Sequence, residues 1–379
     1  MPFQAQNVPS PCFVMEENLL LRNLERLQYV RQSANCDLIL ALKGFALYHT
    51  FPLVKQYLSG ATASSLNEAR LIFEEMHCRA HTYAPAYLAH EFDQIMFYSS
   101  HITFNSLSQW ERYAPRIRQY HRPISCGLRI NPQYSEVQTD MYNPCIAGSR
   151  LGITRDQLGN TLPEGIEGLH FHTLCENDSH TLARTLEVVE QRFGDLLHQA
   201  KWLNMGGGHL ITRQGYDADH LIALIQHLQS TYDLQIILEP GSAIAWQTGY
   251  LVAEVLDIID SQGVQVAVLD VSFAAHMPDC LEMPYKPRIW GATDPQADRY
   301  TYRMGGMTCL AGDYIGDYAF EQPLQIGNRL VFDDMIHYTM VKTTTFNGVG
   351  LPAIGIWKKD DSFQLLRQFG FQSYKDRLG

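Results

Sequence analysis

Residues 202–241 read WLNMGGGHLITRQGYDADHLIALIQHLQSTYDLQIILEPG. A short apolar run, Trp202–Gly207, closes in glycines. The stretch Asp217–Tyr232 then repeats apolar residues at helical spacing, and Gln235–Gly241 is a second apolar run that ends in Glu-Pro-Gly. Strand, helix and strand in this order make the unit of a parallel sheet, since a helix must carry the chain back before the next strand can run the same way.

The same rhythm extends towards the N-terminus. Strand-like runs are Cys36–Lys43, Gly60–Ser65, His81–Pro85, His101–Asn105, Cys126–Pro132 and Gly168–Leu174, which with the two above make eight. Between them, Leu66–His77 sets Leu66, Ala69, Ile72, Phe73 and Met76 on one stripe, Ser179–Ala200 behaves similarly, and Glu16–Arg31 reads as a helix before the first strand. Eight such units predict an α/β fold, a parallel (β/α)8 barrel, with an open doubly wound sheet as the rival. The long gap Asn131–Ile153 reads as an active-site excursion. After Ser242, Tyr250–Asp260, Gln265–Val271, Tyr300–Met304, Arg329–Phe332 and Tyr338–Phe346 read as strands without intervening helices, hence a second, all-β C-terminal domain. The expected division is a barrel over 13–242 and a β-sandwich or barrel domain over 243–379, joined by residues 1–12.

With 379 residues, 46% hydrophobic and 18% charged, the chain can bury a substantial core. Its net charge of −11 argues against a nucleic-acid partner and is compatible with a cationic ligand. No apolar run is long enough to suggest a membrane span. The eight cysteines form no Cys-x-x-Cys pair, and MPFQAQNVPS lacks a basic stretch followed by an apolar one. Reduced thiols and a cytoplasmic location are therefore expected.

In a parallel barrel the carboxyl ends of the strands line the site. Lys43 ends an apolar strand, where lost hydration lowers an amine's pKa and frees it for Schiff-base chemistry; a rim lysine snorkelling to solvent is the plain alternative. Gly206-Gly207-Gly208 follows the seventh strand, suited to a phosphate or simply to a tight turn. Glu239, at the end of the eighth, can pair with a protonated pyridine nitrogen or serve as a structural carboxylate. His170 and His172 alternate onto one face; a stacked imidazole is better motivated than a metal pair. Cys309, in Gly306–Asp313, is a candidate proton donor or a small buried hydrophobe.

In this order, the strand-end lysine, the His-bearing sixth strand, Gly-Gly-Gly, Glu-Pro-Gly, the cysteine loop and Tyr338-Thr339 with Phe346-Asn347-Gly348 resemble the fold-type III pyridoxal-phosphate enzymes. These include alanine racemase and the ornithine, arginine and diaminopimelate decarboxylases. Within them, Ala41-Leu42-Lys43, Ser64–Glu68, His172–Glu176, Ala275–Asp279 with Glu282–Tyr285, and Cys309–Asp313 look most like the carboxynorspermidine (carboxyspermidine) decarboxylase family. Some positions depart from the wider pattern: Thr-Leu-Cys-Glu follows His172, Ser242 stands where an arginine is usual, and Leu310 follows Cys309.

The resemblance implies pyridoxal 5'-phosphate held by Lys43, a ring stacked on His172, a ring nitrogen paired with Glu239, and phosphate bound by Gly207, Gly208 and Tyr338. Cys309 would protonate the α-carbon from the partner subunit of a homodimer with shared sites. Asp279, Glu176 and Asp313 would meet the amines of a carboxylated polyamine. Arg129 and Arg150 suit either carboxylate orientation or structural ion pairs. The implied reaction turns carboxynorspermidine into norspermidine and carboxyspermidine into spermidine. A diaminopimelate or other basic amino-acid decarboxylase is the alternative, and a catalytically silent cofactor-binding regulator a more distant one.

Overall fold

The computed structural model describes residues 4–379. The chain divides into two compact units, Asn23–Ile244 and a second that joins the residues up to Arg22 to Ala245–Gly379. The division falls after Arg22 rather than at residue 13 because Cys12–Glu16 (β1) is a fully buried strand of the second unit. It pairs antiparallel with the strand Gly249–Ser261, Cys12 opposite Val252, and parallel with the strand Ala353–Trp357, Cys12 opposite Ala353.

The first unit is a closed barrel of eight parallel strands: Asp37–Ala41 (β2), Gly60–Ala63 (β3), Ala80–Tyr83 (β4), Ser99–Phe104 (β5), Ser125–Arg129 (β6), Gly168–His170 (β7), Trp202–Asn204 (β8) and Gln235–Leu238 (β9). The pairing Asp37↔Ile237 closes the ring. Side chains start the helices that follow these strands. Ser65, Ser106, Asp178 and Asp217 each accept the backbone N–H three residues on, satisfying a donor that the first helical turn leaves free. The expected helix Leu66–His77 is α-helical only to Leu71, and Ile72–Met76 forms a π turn.

Two layers fill the barrel beneath its mouth. Gly127, Gly168 and Trp202 lie in register on β6, β7 and β8. A Cβ on Gly168 would fall 2.0 Å from Trp202 Cδ2, and one on Gly127 2.3 Å from Trp202 Cη2, so the indole occupies the room that two missing side chains leave. Two residues further along the same strands, alternation brings Arg129, His170 and Asn204 into register as a buried polar layer.

The second unit is a nine-stranded, mostly antiparallel sheet. After β1 its strands are Gly249–Ser261 (β10), Val264–Leu269 (β11), Ala292–Thr293 (β12), Tyr300–Gly305 (β13), Tyr314–Phe320 (β14), Arg329–Asp333 (β15), Ala353–Trp357 (β16) and Phe363–Arg367 (β17). They run in the order β12-β14-β13-β11-β10-β1-β16-β17, with β15 also paired to β10. Ala5, Val8, Cys12, Val14, Tyr250, Val252, Val331 and Ala353 pack into one core cluster of this unit.

Short helices do interrupt this unit, against expectation. Ser272 caps Phe273–His276 by accepting from Ala275 N, and Pro278 opens Pro278–Glu282. The expected strand Tyr338–Phe346 is instead helical over Tyr338–Lys342. Its β-branched residues favour a strand by propensity, but Thr339 Oγ1 donates to Asp279 Oδ2 and Val341 N to His337 O, and these contacts prevail.

Candidate active site

Five of the expected residues meet at the carboxyl ends of the barrel strands. Lys43 lies in the turn after β2 with its Nζ 3.2 Å from His172 Nε2. His172 Nδ1 accepts from Gly207 N at 3.0 Å, which places the ring proton on Nε2, facing the amine. Burial lowers the Lys43 pKa, which Arg129 lowers further and Glu239 partly restores. Burial, with Lys43 and Arg129 adding to it, holds His172 well below the usual imidazole range. Both shifts favour the uncharged forms of the pair.

The glycine turn between β8 and the helix is required by packing. Gly206 has φ +66° and Gly208 φ +87°. A Cβ on Gly207 would lie 2.2 Å from Glu239 O, and one on Gly208 1.9 Å from Leu174 O. The turn thus abuts both the end of β9 and the loop after β7. Glu239 is bound at Oε1 by Asn204 Nδ2, 2.8 Å away, while Oε2 stands 3.8 Å from His170 Nε2.

Arg129 is committed locally: Nη2 donates to His172 O at 3.1 Å and the guanidinium covers the Tyr83 ring at 4.7 Å. Arg150 is exposed, and with Ser106, Asn131 and Gln157 it lines a polar cavity of about 470 Å³. The excursion Asn131–Ile153 is fastened to the barrel through Ser135 Oγ on Thr173 O and a two-pronged Arg184–Glu136 pair. Glu176 is exposed on the loop after β7, with φ +53°.

The remaining expected residues belong to the sheet unit. Asp279 is buried; its Oδ2 accepts from Tyr285 OH and Thr339 Oγ1, whereas its Oδ1 is buried without a hydrogen-bond partner. Tyr338 is half-buried at the start of its helix. Cys309 is exposed, and its N–H donates to Asn347 Oδ1. Asp313 is engaged within the sheet unit. It is 4% exposed; its Oδ1 accepts from Ala274 N and its Oδ2 from Thr308 N and Oγ1. A carboxylate so engaged shapes the Cys309 loop and ties it to Ala274.

Sequence reasoning missed Asn204 and Tyr83. For Asn204 a signal existed: a polar residue closing a buried strand immediately before the glycine turn needs partners there.

The family model described as pyridoxal-dependent decarboxylase, C-terminal sheet domain, matches residues 14–336. The chain belongs to the pyridoxal-dependent decarboxylases. It is 54% identical to a carboxyaminopropylagmatine decarboxylase of Synechocystis sp., over 98% of this chain and 96% of that protein. It is 41% identical to a carboxynorspermidine/carboxyspermidine decarboxylase of Campylobacter jejuni, over 98% and 99%. Among solved structures, the C. jejuni carboxynorspermidine decarboxylase complexed with norspermidine superposes with a TM-score of 0.90 at 41% identity, covering 98% of this chain and 100% of that one.

The decarboxylase uses pyridoxal phosphate, and the barrel's residues fit that group. An amine with depressed pKa, a neutral imidazole, a glycine turn with no side chains in the way, and a carboxylate with one oxygen unclaimed are the functions it requires.

Proposed function

We propose that this decarboxylase acts on carboxylated polyamines, converting carboxynorspermidine to norspermidine and carboxyspermidine to spermidine. The observation that carries the chemistry is the enclosed Lys43–His172 pair, set on the same glycine turn that abuts Glu239. The substrate class is supported by full-length similarity to relatives so named. A second reading has its own support: the 54% identical relative is named for an agmatine adduct, whose far end is a guanidinium. Relatives named for diaminopimelate match at 25% identity over 59% of the chain or similar fractions, which disfavours that alternative.

In this reading Lys43 Nζ attaches the cofactor, His172 packs against its ring, and Glu239 Oε2 faces its ring nitrogen. Gly207, Gly208 and Tyr338 hold its phosphate. When bound, pyridoxal phosphate supplies a sink for the electron pair left as carbon dioxide departs. Cys309 Sγ delivers a proton to the substrate's α-carbon. Asp279 Oδ1, buried and unpartnered, accepts from a distal ammonium, with Glu176 nearer solvent as a weaker partner.

The assembly in this reading is a homodimer in which Cys309 serves the partner's barrel, and exposed Met307 and Leu310 on its loop suit a subunit contact. No described helix is long and apolar enough to cross a membrane, and the cytoplasm is the proposed location.

The test is carbon dioxide release from carboxynorspermidine, carboxyspermidine, carboxyaminopropylagmatine, diaminopimelate, ornithine and arginine. The highest kcat/KM is expected on one of the first three; faster turnover of diaminopimelate overturns the reading. Mixing Lys43→Ala and Cys309→Ala chains restores activity if sites are shared, and leaves both inactive if they are not.

A further inference from the structure

Glu239 has two oxygens in different situations. Oε1 accepts from Asn204 Nδ2 at 2.8 Å, whereas Oε2 lies 3.8 Å from His170 Nε2, too far for a hydrogen bond. Asn204 is 4% exposed, at the end of β8, and uses its amide in both directions, since Oδ1 accepts from Gly206 N at 2.8 Å. Gly206 O in turn accepts from Glu239 N at 2.7 Å, and the next residue, Gly207, donates to His172 Nδ1. One amide therefore joins the carboxylate to the turn that also sets the imidazole facing Lys43.

We propose that Asn204 is a positioning residue of the decarboxylase: it ties down Glu239 Oε1 so that Oε2 alone is presented to the cofactor's ring nitrogen, and it locks that carboxylate to the glycine turn and His172. The inference rests on the role proposed above for Glu239. An amide is suited to this place because it can donate to the carboxylate and accept from Gly206 N at once. An ionised aspartate there could accept but not donate, and would set a second anion against the first. The other charged or titratable groups around Glu239 are His170 on β7, Lys43 after β2, Arg129 on β6 and Tyr83 on β4.

The experiment compares Asn204→Ala, Asn204→Asp, Glu239→Gln and the Asn204→Ala/Glu239→Gln double variant as holoenzymes. It reads kcat, KM, the pH profile, and the ring-nitrogen resonance of ¹⁵N-labelled pyridoxal phosphate. Asn204→Ala is expected to lower kcat roughly 10- to 100-fold, to leave KM within about threefold, and to move the ¹⁵N resonance. In the double variant it should add little to Glu239→Gln, because it acts through that carboxylate.

Asn204→Asp separates positioning from mere packing. Protonated, the aspartic acid donates to Oε1 as the amide does; ionised, it cannot. Its kcat should therefore gain a descending limb between about pH 6 and 9 that the wild type lacks, with the wild-type ¹⁵N resonance recovered on the acid side. Wild-type kcat and resonance in both Asn204 variants, with Glu239→Gln impaired, overturn the proposal and leave the Glu239 role standing. An unimpaired Glu239→Gln removes that role, and the proposal with it.

Discussion

Lys43 Nζ stands 3.2 Å from His172 Nε2, and the histidine's other nitrogen is already taken by Gly207 N. The ring's tautomer and the amine's surroundings are thus set by backbone that belongs to the glycine turn. Lys43→Ala should abolish the visible absorbance of lysine-bound pyridoxal phosphate together with activity. His172→Phe keeps a flat ring but loses both nitrogens, so it should retain colour and lose rate. A coloured Lys43→Ala protein would contradict the assignment.

Asp279 Oδ1 is buried with nothing to accept. Asp279→Asn should raise KM for a carboxylated polyamine by roughly tenfold or more, the scale of a hydrogen bond to a charged group, while cofactor absorbance is unchanged. Steady-state kinetics on the holoenzyme checks this.

Asp313 gathers three donors from Ala274 and Thr308. Asp313→Ala should cost about 1–3 kcal/mol of stability by orphaning them, and should change the alkylation rate of Cys309. KM is expected to move little. A large KM effect with unaltered thiol reactivity would return Asp313 to the substrate.

Gly168 and Trp202 test the barrel's filling. Gly168→Ala places a methyl inside the indole's volume and should destabilise the protein by about 1–3 kcal/mol, measured by urea unfolding. In a Trp202→Leu background the same change should cost less.

Buried imidazoles set an acid limit. Burial holds His209 and His276 at about 4, against an ordinary value of 6.5. Between 6.5 and about 4 the unfolded chain binds the additional protons, so stability falls as pH falls through this window and is unaffected above it. Each contributes up to about 3 kcal/mol by the acid end. His209→Asn should flatten the dependence of urea midpoints on pH; an unchanged slope would count against it.

Much of this was legible in the order of residues. Eight strand-like runs alternating with helical segments point to a parallel barrel or an open doubly wound sheet, and the pairing Asp37↔Ile237 that closes the ring decides between them. Lys43, His172, the glycines and Glu239 announced themselves because they sit at strand ends, where local pattern and chemistry coincide. Cys12–Glu16 did not, since a five-residue apolar strand carries no mark of the partner it will choose, and its neighbours in the sheet are more than two hundred residues away in the chain. Tyr338–Lys342 turned helical against its own propensity for the same reason: Asp279 supplies a partner that sequence distance conceals. Residue type alone offered Asp313 as a contact for an amine, and only the fold showed its oxygens engaged by Ala274 and Thr308. Asn204 likewise became more than a polar strand end once Glu239 lay 2.8 Å away. Periodicity and residue type act locally and can be read along the chain; which donor meets which acceptor depends on distances that exist only after folding.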